Sequence, residues 1–165
     1  DVVEASKAST GNITLEMTEL NFVELVNQVI GEFEEKFEER NLQIVVHFDE
    51  EEAIICADGR RLWRVLENVF GNVSKYAMEN TRVYVDVNVN RPNVRLSLKN
   101  ISAQPLNITA DELTERFIRG DVSRNTEGSG LGLSIAKDLV QLQGGTFNLY
   151  LDGDLFKVTI EFKMK

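Results

Sequence analysis

Apolar residues recur at helical spacing through Phe22, Leu25, Val26, Val29, Phe33 and Phe37, opposite a face crowded with glutamates. That pattern predicts an amphipathic helix from Phe22 to about Glu39, with Asn21 placed to cap its first free amides. β-branched runs at Leu42 to Phe48 and Ile54 to Ala57 predict two strands. Within them, His47 reads as a structural or solvent-facing histidine, since no partner stands near it in sequence, and Cys56 reads as a small core residue. Asp58 is placed to cap a second helix, Arg60 to about Ala77, with Leu62, Val65, Leu66, Val69, Phe70 and Val73 on its apolar face. Val83, Val85, Val87 and Val89 alternate, a turn falls at Asn90 to Asn93, and Val94 to Leu98 returns, which predicts a hairpin. Regularity is lost from Lys99 to Pro105. Thr109, with Glu112 three residues on, predicts the cap of a short helix. A third helical pattern through Leu131, Ile135, Leu139 and Leu142 ends at Gly144-Gly145. Thr146 to Leu151 and Phe156 to Met164 close the chain as a second hairpin, turning at Asp152-Gly153-Asp154. Residues 1–18 read as a linker or the tail of a preceding helix, which leaves 19–165 as one domain. Helices and paired strands in this order predict an α/β (α+β) two-layer sandwich, a mixed sheet with helices on one face.

Composition narrows the function classes. At 165 residues the chain suits one domain with a sizeable core. A formal charge of -9 argues against a general nucleic-acid or anionic-membrane surface, though not against a local basic pocket. With a single cysteine there is no disulfide framework or zinc cluster, which suits a reducing compartment. No apolar run approaches the roughly 20 residues of a membrane span, and no signal peptide is visible. A chain that starts at Asp1 rather than Met is expected to be a fragment, with any sensory or membrane segment outside it.

Two stretches carry candidate chemistry. The first is Asp121 to Leu133, a polar loop that tightens through Gly128, Gly130 and Gly132 and opens the third helix. Glycines at alternate positions let the backbone approach a ligand, and the free amides of a helix start favour anionic oxygens. The loop is thus a candidate phosphate cradle, or else a connection that lets a helix pack closely on a sheet. It is neither a P-loop, which ends in Gly-Lys-Ser/Thr, nor a dinucleotide fingerprint, which follows a strand. The second stretch is the polar face of the second helix. Asn68, Asn72 and Lys75 lie along one stripe, with Tyr76 beside it. Asparagine is an indifferent helix former, so two on one stripe call for an external reason. Carboxamide oxygens can complete a magnesium shell and a lysine one turn on can reach phosphate oxygen; an exposed polar face is the plainer alternative.

Together these motifs resemble the catalytic and ATP-binding domain of bacterial sensor histidine kinases, in the wider superfamily (GHKL) with Hsp90, DNA gyrase B and MutL. Arg64-Val-Leu-Glu-Asn-Val-Phe-Gly-Asn-Val-Ser-Lys-Tyr76 is similar to the N box, Glu115-Arg-Phe-Ile-Arg-Gly-Asp121 to the F box, and Gly128-Ser-Gly-Leu-Gly-Leu-Ser-Ile135 to the G2 box. Asp1 to Gly11 resembles the last turns of the dimerisation helix that precedes this domain. The resemblance implies a Bergerat-type ATP-binding fold with a mostly antiparallel sheet. It implies that Asn72 ligates Mg2+, that Asn68 assists near the phosphates, that Lys75 touches phosphate and that Tyr76 lies against adenine. Gly128, Ser129, Gly130, Leu131 and Gly132 would form the phosphate-facing backbone. Arg119 and Arg124 flank the lid as candidates for neutralising the terminal phosphates, while Phe117 packs the lid base.

One segment departs from the pattern. Where the family has Asp-x-Gly-x-Gly, this chain has Asn100-Ile-Ser102-Ala-Gln104. An asparagine oxygen can accept the adenine amino hydrogen bond, but as a neutral partner, and the missing glycines restrict the backbone. The implied function is binding of Mg-ATP and donation of the γ-phosphoryl group to a histidine on a separate dimerisation domain, in two-component signalling with a cognate response regulator. The parent would be a membrane-anchored homodimer in a bacterial cell, this domain cytoplasmic, the fragment monomeric and unable to phosphorylate itself because His47 lacks the acceptor context. The rivals are a degenerate, non-catalytic nucleotide-binding or docking module, and an ATPase or anti-sigma serine kinase of the same superfamily, in which Glu67 would be the carboxylate to suspect.

Overall fold

The computed structural model describes residues 14–106 and 131–165. In order, its elements are β1 (Thr18–Asn21), α1 (Phe22–Glu39), β2 (Gln43–Phe48), β3 (Ile54–Ala57), α2 (Gly59–Tyr76), β4 (Arg82–Asn90), β5 (Asn93–Ile101), α3 (Leu131–Leu142), β6 (Thr146–Asp152) and β7 (Leu155–Lys163). Five strands form one sheet in the order β2-β4-β5-β7-β6, parallel only between β2 and β4. The expected two-layer sandwich with a mostly antiparallel sheet is therefore present. A separate two-stranded sheet pairs β1 with β3.

Alternation along the strands decides which face the helices cover. Val83, Val85 and Val87 of β4, Val94, Leu96 and Leu98 of β5, and Phe156, Val158, Ile160 and Phe162 of β7 are buried, while most of the residues between them are polar. Against them α1 buries Phe22, Val26, Val29, Phe33 and Phe37, and α2 buries Leu62, Val65, Leu66, Val69, Phe70 and Val73. Phe33 meets Phe70 with ring centroids 5.9 Å apart, joining α1 to α2, and Phe22 stands edge-on to Phe162 at 5.9 Å, joining α1 to β7. Full burial of side chains this size contributes about 1.5–3 kcal/mol each before chain entropy is counted. Of the α3 pattern, Ile135 and Leu139 are buried, joined by Leu133, Ala136 and Val140; Leu142 is 36% exposed and does not belong to the core stripe.

Caps set the helix starts. Asn21 Oδ1 accepts from Val23 N–H at 3.1 Å and also from Ala53 N–H at 3.0 Å, fixing the start of α1 to the segment that enters β3. Asp58 caps α2: Oδ1 accepts from Arg60 and Arg61 N–H at 3.1 and 3.2 Å, and Oδ2 from Glu16 N–H at 2.9 Å. Burial alone would raise this carboxyl's pKa. The Glu16 donor, followed by the Arg61 amide, the Arg61 charge and the Arg60 amide, outweighs burial and leaves the pKa below its ordinary value. The Asp58 N–H in turn donates to Gln143 Oε1 at 2.7 Å, and Gln143 Nε2 donates to Leu139 O at 2.9 Å. A single buried amide thereby locks the start of α2 to the end of α3.

Several expectations shift. The chain is anchored from Glu16 and pairs as β1 from Thr18, in residues whose sequence shows no alternation because the partner, β3, lies far along the chain. Cys56 is exposed rather than a core residue: Ile55 and Ala57 point inward, so period-two geometry turns Cys56 to solvent opposite Glu19. β5 does not end at Leu98. It continues to Ile101 because Lys99, Asn100 and Ile101 stay paired with Lys157, Phe156 and Leu155. His47 is solvent-facing as expected, but it does have a partner close in sequence: Nε2 lies 3.1 Å from Asp49 Oδ1, two residues on.

Candidate functional site

The site is built where α2 ends against β5. Ala77 bridges Ser102; Met78 N–H donates to Ile101 O at 2.7 Å and Ala103 N–H donates to Tyr76 O at 2.9 Å. These bonds carry the last turn of α2 onto the end of β5 and bring residues 23 to 27 apart in sequence into one wall. The tip of the β6–β7 hairpin supports the same segment, since Ser102 N–H donates to Asp154 O at 2.7 Å and Leu106 N–H to Gly153 O at 3.3 Å. Gly153 permits that tip with φ of 62°.

Between these elements lies a pocket of about 310 Å³ lined by Asn72, Lys75, Tyr76, Asn100, Ser102, Ala103, Gln104, Leu106, Leu133 and Phe156. Its size suits a small ligand, and its mixture of apolar walls with a few polar groups is what fixes such a ligand's orientation. Asn72 and Asn100 are buried, at 9% and 3% exposure, whereas Tyr76 keeps 37%. Burial raises the Tyr76 phenol above its ordinary pKa, so at neutral pH the ring presents a neutral face. Asn100 Oδ1 is a buried acceptor with no hydrogen-bond partner, the one such side-chain atom among the described residues. Leaving it so costs free energy unless a ligand donates to it.

The helical stripe meets Gly132, the described glycine of the candidate loop. Asn68 Nδ2 donates to Gly132 O at 3.2 Å, and a Cβ built on Gly132 would sit 3.6 Å from Asn68 Cγ. Of the expected site residues, Asn72, Lys75, Tyr76, Asn100 and Ser102 line the pocket; Asn68 and Gly132 do not line it but are bonded to each other, one turn before Asn72 and next to the lining Leu133, with Leu131 at the first position of α3. Gly128, Ser129, Gly130, Arg119, Arg124, Phe117 and the helix expected after Thr109 lie outside the described residues, as does Asp1 to Gly11. The segment that lacks the family's glycines needs none: positive φ among described non-glycine residues occurs only at Asn41 and Asn80. Ser102 Oγ instead accepts from Gln104 N–H at 3.2 Å and holds the turn. Glu67 is exposed and does not line the pocket.

Leu133 and Phe156 escaped the sequence reading because each sits in a pattern that reads equally well as core, and Leu106 because it falls in a stretch without periodicity. Phe156 lies opposite Asn100 only because β5 pairs with β7, two strands that no hairpin joins, so no local signal pointed to it. Among the described residues, no group of three or more His, Cys, Asp or Glu could hold a metal ion, so a cation here would need carboxamide and ligand oxygens. No helix among them is long and apolar enough to cross a membrane.

A mixed sheet covered on one face by helices, with a pocket at the junction of the second helix and a central strand, defines a class of ligand-binding α/β sandwich. Residues 57–165 match the family described as histidine kinase-, DNA gyrase B- and HSP90-like ATPase, and the chain belongs to that family. It is 27% identical over 164 residues to the probable sensor protein PcoS of Escherichia coli, covering 97% of this chain and 34% of that protein. With the sensor protein VanS of Enterococcus faecium it shares 28% identity over 144 residues, 86% of this chain and 37% of the relative. The solved catalytic domain of histidine kinase ThkA superposes with a TM-score of 0.76 at 28% identity, covering 90% of this chain and 96% of that one. The chain spans roughly a third of the length of these curated relatives (34% and 37%) and nearly all of the solved catalytic domain. It is a catalytic and ATP-binding domain of the sensor histidine kinase type.

Proposed function

We propose that this domain binds Mg-ATP and donates the γ-phosphoryl group to a histidine on a separate dimerisation domain of a longer, membrane-anchored sensor kinase, which then serves a response regulator. The observation that carries this reading is the shared pocket of Asn72, Lys75, Tyr76 and Asn100, with an unpartnered acceptor at Asn100 Oδ1. Asn100 Oδ1 accepts from the exocyclic amino group of the base, and Tyr76 lies against its ring. Lys75 neutralises phosphate oxygens, and Asn68 steadies the Gly132 backbone beside them. Asn72 would hold the magnesium ion, which when bound supplies charge neutralisation. Arg119, Arg124 and the backbone of Gly128 to Gly132 complete the phosphate end. Phosphoryl transfer of this kind is chiefly positioning and electrostatic stabilisation, so no base on this domain is required.

Calorimetry with a non-hydrolysable ATP analogue tests the reading. Binding should require magnesium and be lost in Asn72→Ala; nucleotide binding that ignores both, or none at all, would favour a degenerate docking module. The fragment alone should incorporate no acid-labile phosphate, and should phosphorylate its own dimerisation domain when that is supplied separately. Steady ATP turnover that disappears in Glu67→Gln would instead establish the ATPase rival, which the exposure of Glu67 away from the pocket does not favour.

A further inference from the structure

We infer that Asn100 relaxes the base selectivity of this pocket, so that it accepts 6-oxopurine nucleotides (the inosine type) as well as 6-aminopurine ones; this rests on the nucleotide-binding reading above. The argument starts from the two chemistries one carboxamide offers. An ionised carboxylate only accepts hydrogen bonds, so facing a purine it favours a 6-amino donor and opposes a 6-oxo acceptor. A carboxamide carries an acceptor and a donor side by side, and a half-turn about its terminal bond exchanges them.

Whether that half-turn is open depends on what holds the side chain. In this structure Asn100 is 3% exposed and lines the pocket, yet no hydrogen bond engages its Oδ1. Ser102, two residues along the same strand end, is committed elsewhere. Ser102 Oγ takes the Gln104 amide, and Ser102 N–H goes to Asp154 O. Phe156, paired with Asn100 across the strands, offers only carbon. Among the described residues, then, no hydrogen bond on the oxygen side imposes one orientation. With the oxygen toward the base, Asn100 accepts from a 6-amino group and its nitrogen can donate to the ring nitrogen beside it. With the nitrogen toward the base, it donates to a 6-oxo group and its oxygen accepts from the protonated ring nitrogen. Both bases satisfy the buried carboxamide, so neither carries the penalty of an unmatched buried polar pair.

Titration of the purified domain with Mg-ADP and Mg-IDP tests this, since the diphosphates bind without turnover and differ only at the base. The wild type should bind IDP within about tenfold of ADP. In Asn100→Asp the preference for ADP over IDP should rise by at least about tenfold, because two acceptors then face each other at the 6-position. If ADP binds the wild type and IDP binds more than about a hundredfold more weakly, the inference is overturned while the nucleotide-binding reading stands. An unchanged ADP-to-IDP ratio in a folded Asn100→Asp also overturns it. If neither nucleotide binds, it is the reading itself that fails. Should Asn100→Asp not fold, the wild-type comparison decides alone.

Discussion

Replacing Asp58 by alanine removes the acceptor for three backbone amides at once. Two of them, Arg60 and Arg61 N–H, are the N-cap bonds of α2, whose loss costs typically about 1 kcal/mol within a range of about 0.5–2. The third, Glu16 N–H, donates to a charged acceptor in a partly buried setting, which is worth roughly a further 1.5–3 kcal/mol. Together the loss is about 2–4 kcal/mol, because the bonds share one carboxylate and are not fully additive. For a chain of 165 residues that lowers Tm by about 5–15 °C. Asp58→Asn should lose less, since asparagine caps nearly as well and forfeits mainly the charge and the second oxygen.

The same carboxylate gives a pH signature. Its folded pKa lies below the ordinary value of 3.8, so in the window just beneath that value the unfolded chain binds more protons than the folded one. Its contribution is therefore complete at neutral pH, begins to fall near the ordinary carboxylate range, and is gone once pH drops through the depressed folded value. Urea unfolding of wild type and Asp58→Asn at several pH values measures the difference directly. That difference should be constant from about pH 7 to 5 and shrink below about pH 4. A difference independent of pH, or an Asp58→Ala variant melting within about 1 °C of wild type, would refute the assignment of Asp58 as the ionised hub of the α2 start.

Other substitutions separate packing from binding. In Gly145→Ala the new Cβ would lie 2.7 Å from Phe162 Cε1 and 2.9 Å from both Glu161 O and Val140 Cγ1; such overpacking should cost about 1–3 kcal/mol, seen as a lower urea midpoint. By contrast, Gly132→Ala meets Asn68 Cγ at an ordinary 3.6 Å, so thermal stability should hold to within about 1 kcal/mol while nucleotide affinity falls by at least about tenfold, as a methyl group intrudes where bare backbone should face phosphate. Unchanged affinity in that variant would remove Gly132 from the site. Gln143→Ala leaves the Asp58 N–H without its acceptor and should cost about 1–3 kcal/mol in the same unfolding measurement.

What could be read in advance follows from the range of the interactions that decide it. The first helix came out at its observed bounds because its cap and its stripe are local: Asn21 needs only Val23, and Phe22 to Phe37 only one another's spacing. β1 was invisible because its strand character comes from β3, more than thirty residues on, and Cys56 was misplaced because a four-residue strand has too few alternations to show which face is inward. The site divides the same way. Asn68 and Asn72 were legible as polar residues with no local reason to be helical, and their reason proves tertiary: one donates to the Gly132 carbonyl and the other lines the pocket. In the sequence Asn100 is legible only as a mismatch to the family's aspartate, in a segment without periodicity, whereas register with Phe156 keeps it in the strand and its buried oxygen has no partner. A buried polar atom without a partner is a tertiary fact that no local pattern announces, and the base selectivity proposed for the pocket turns on it.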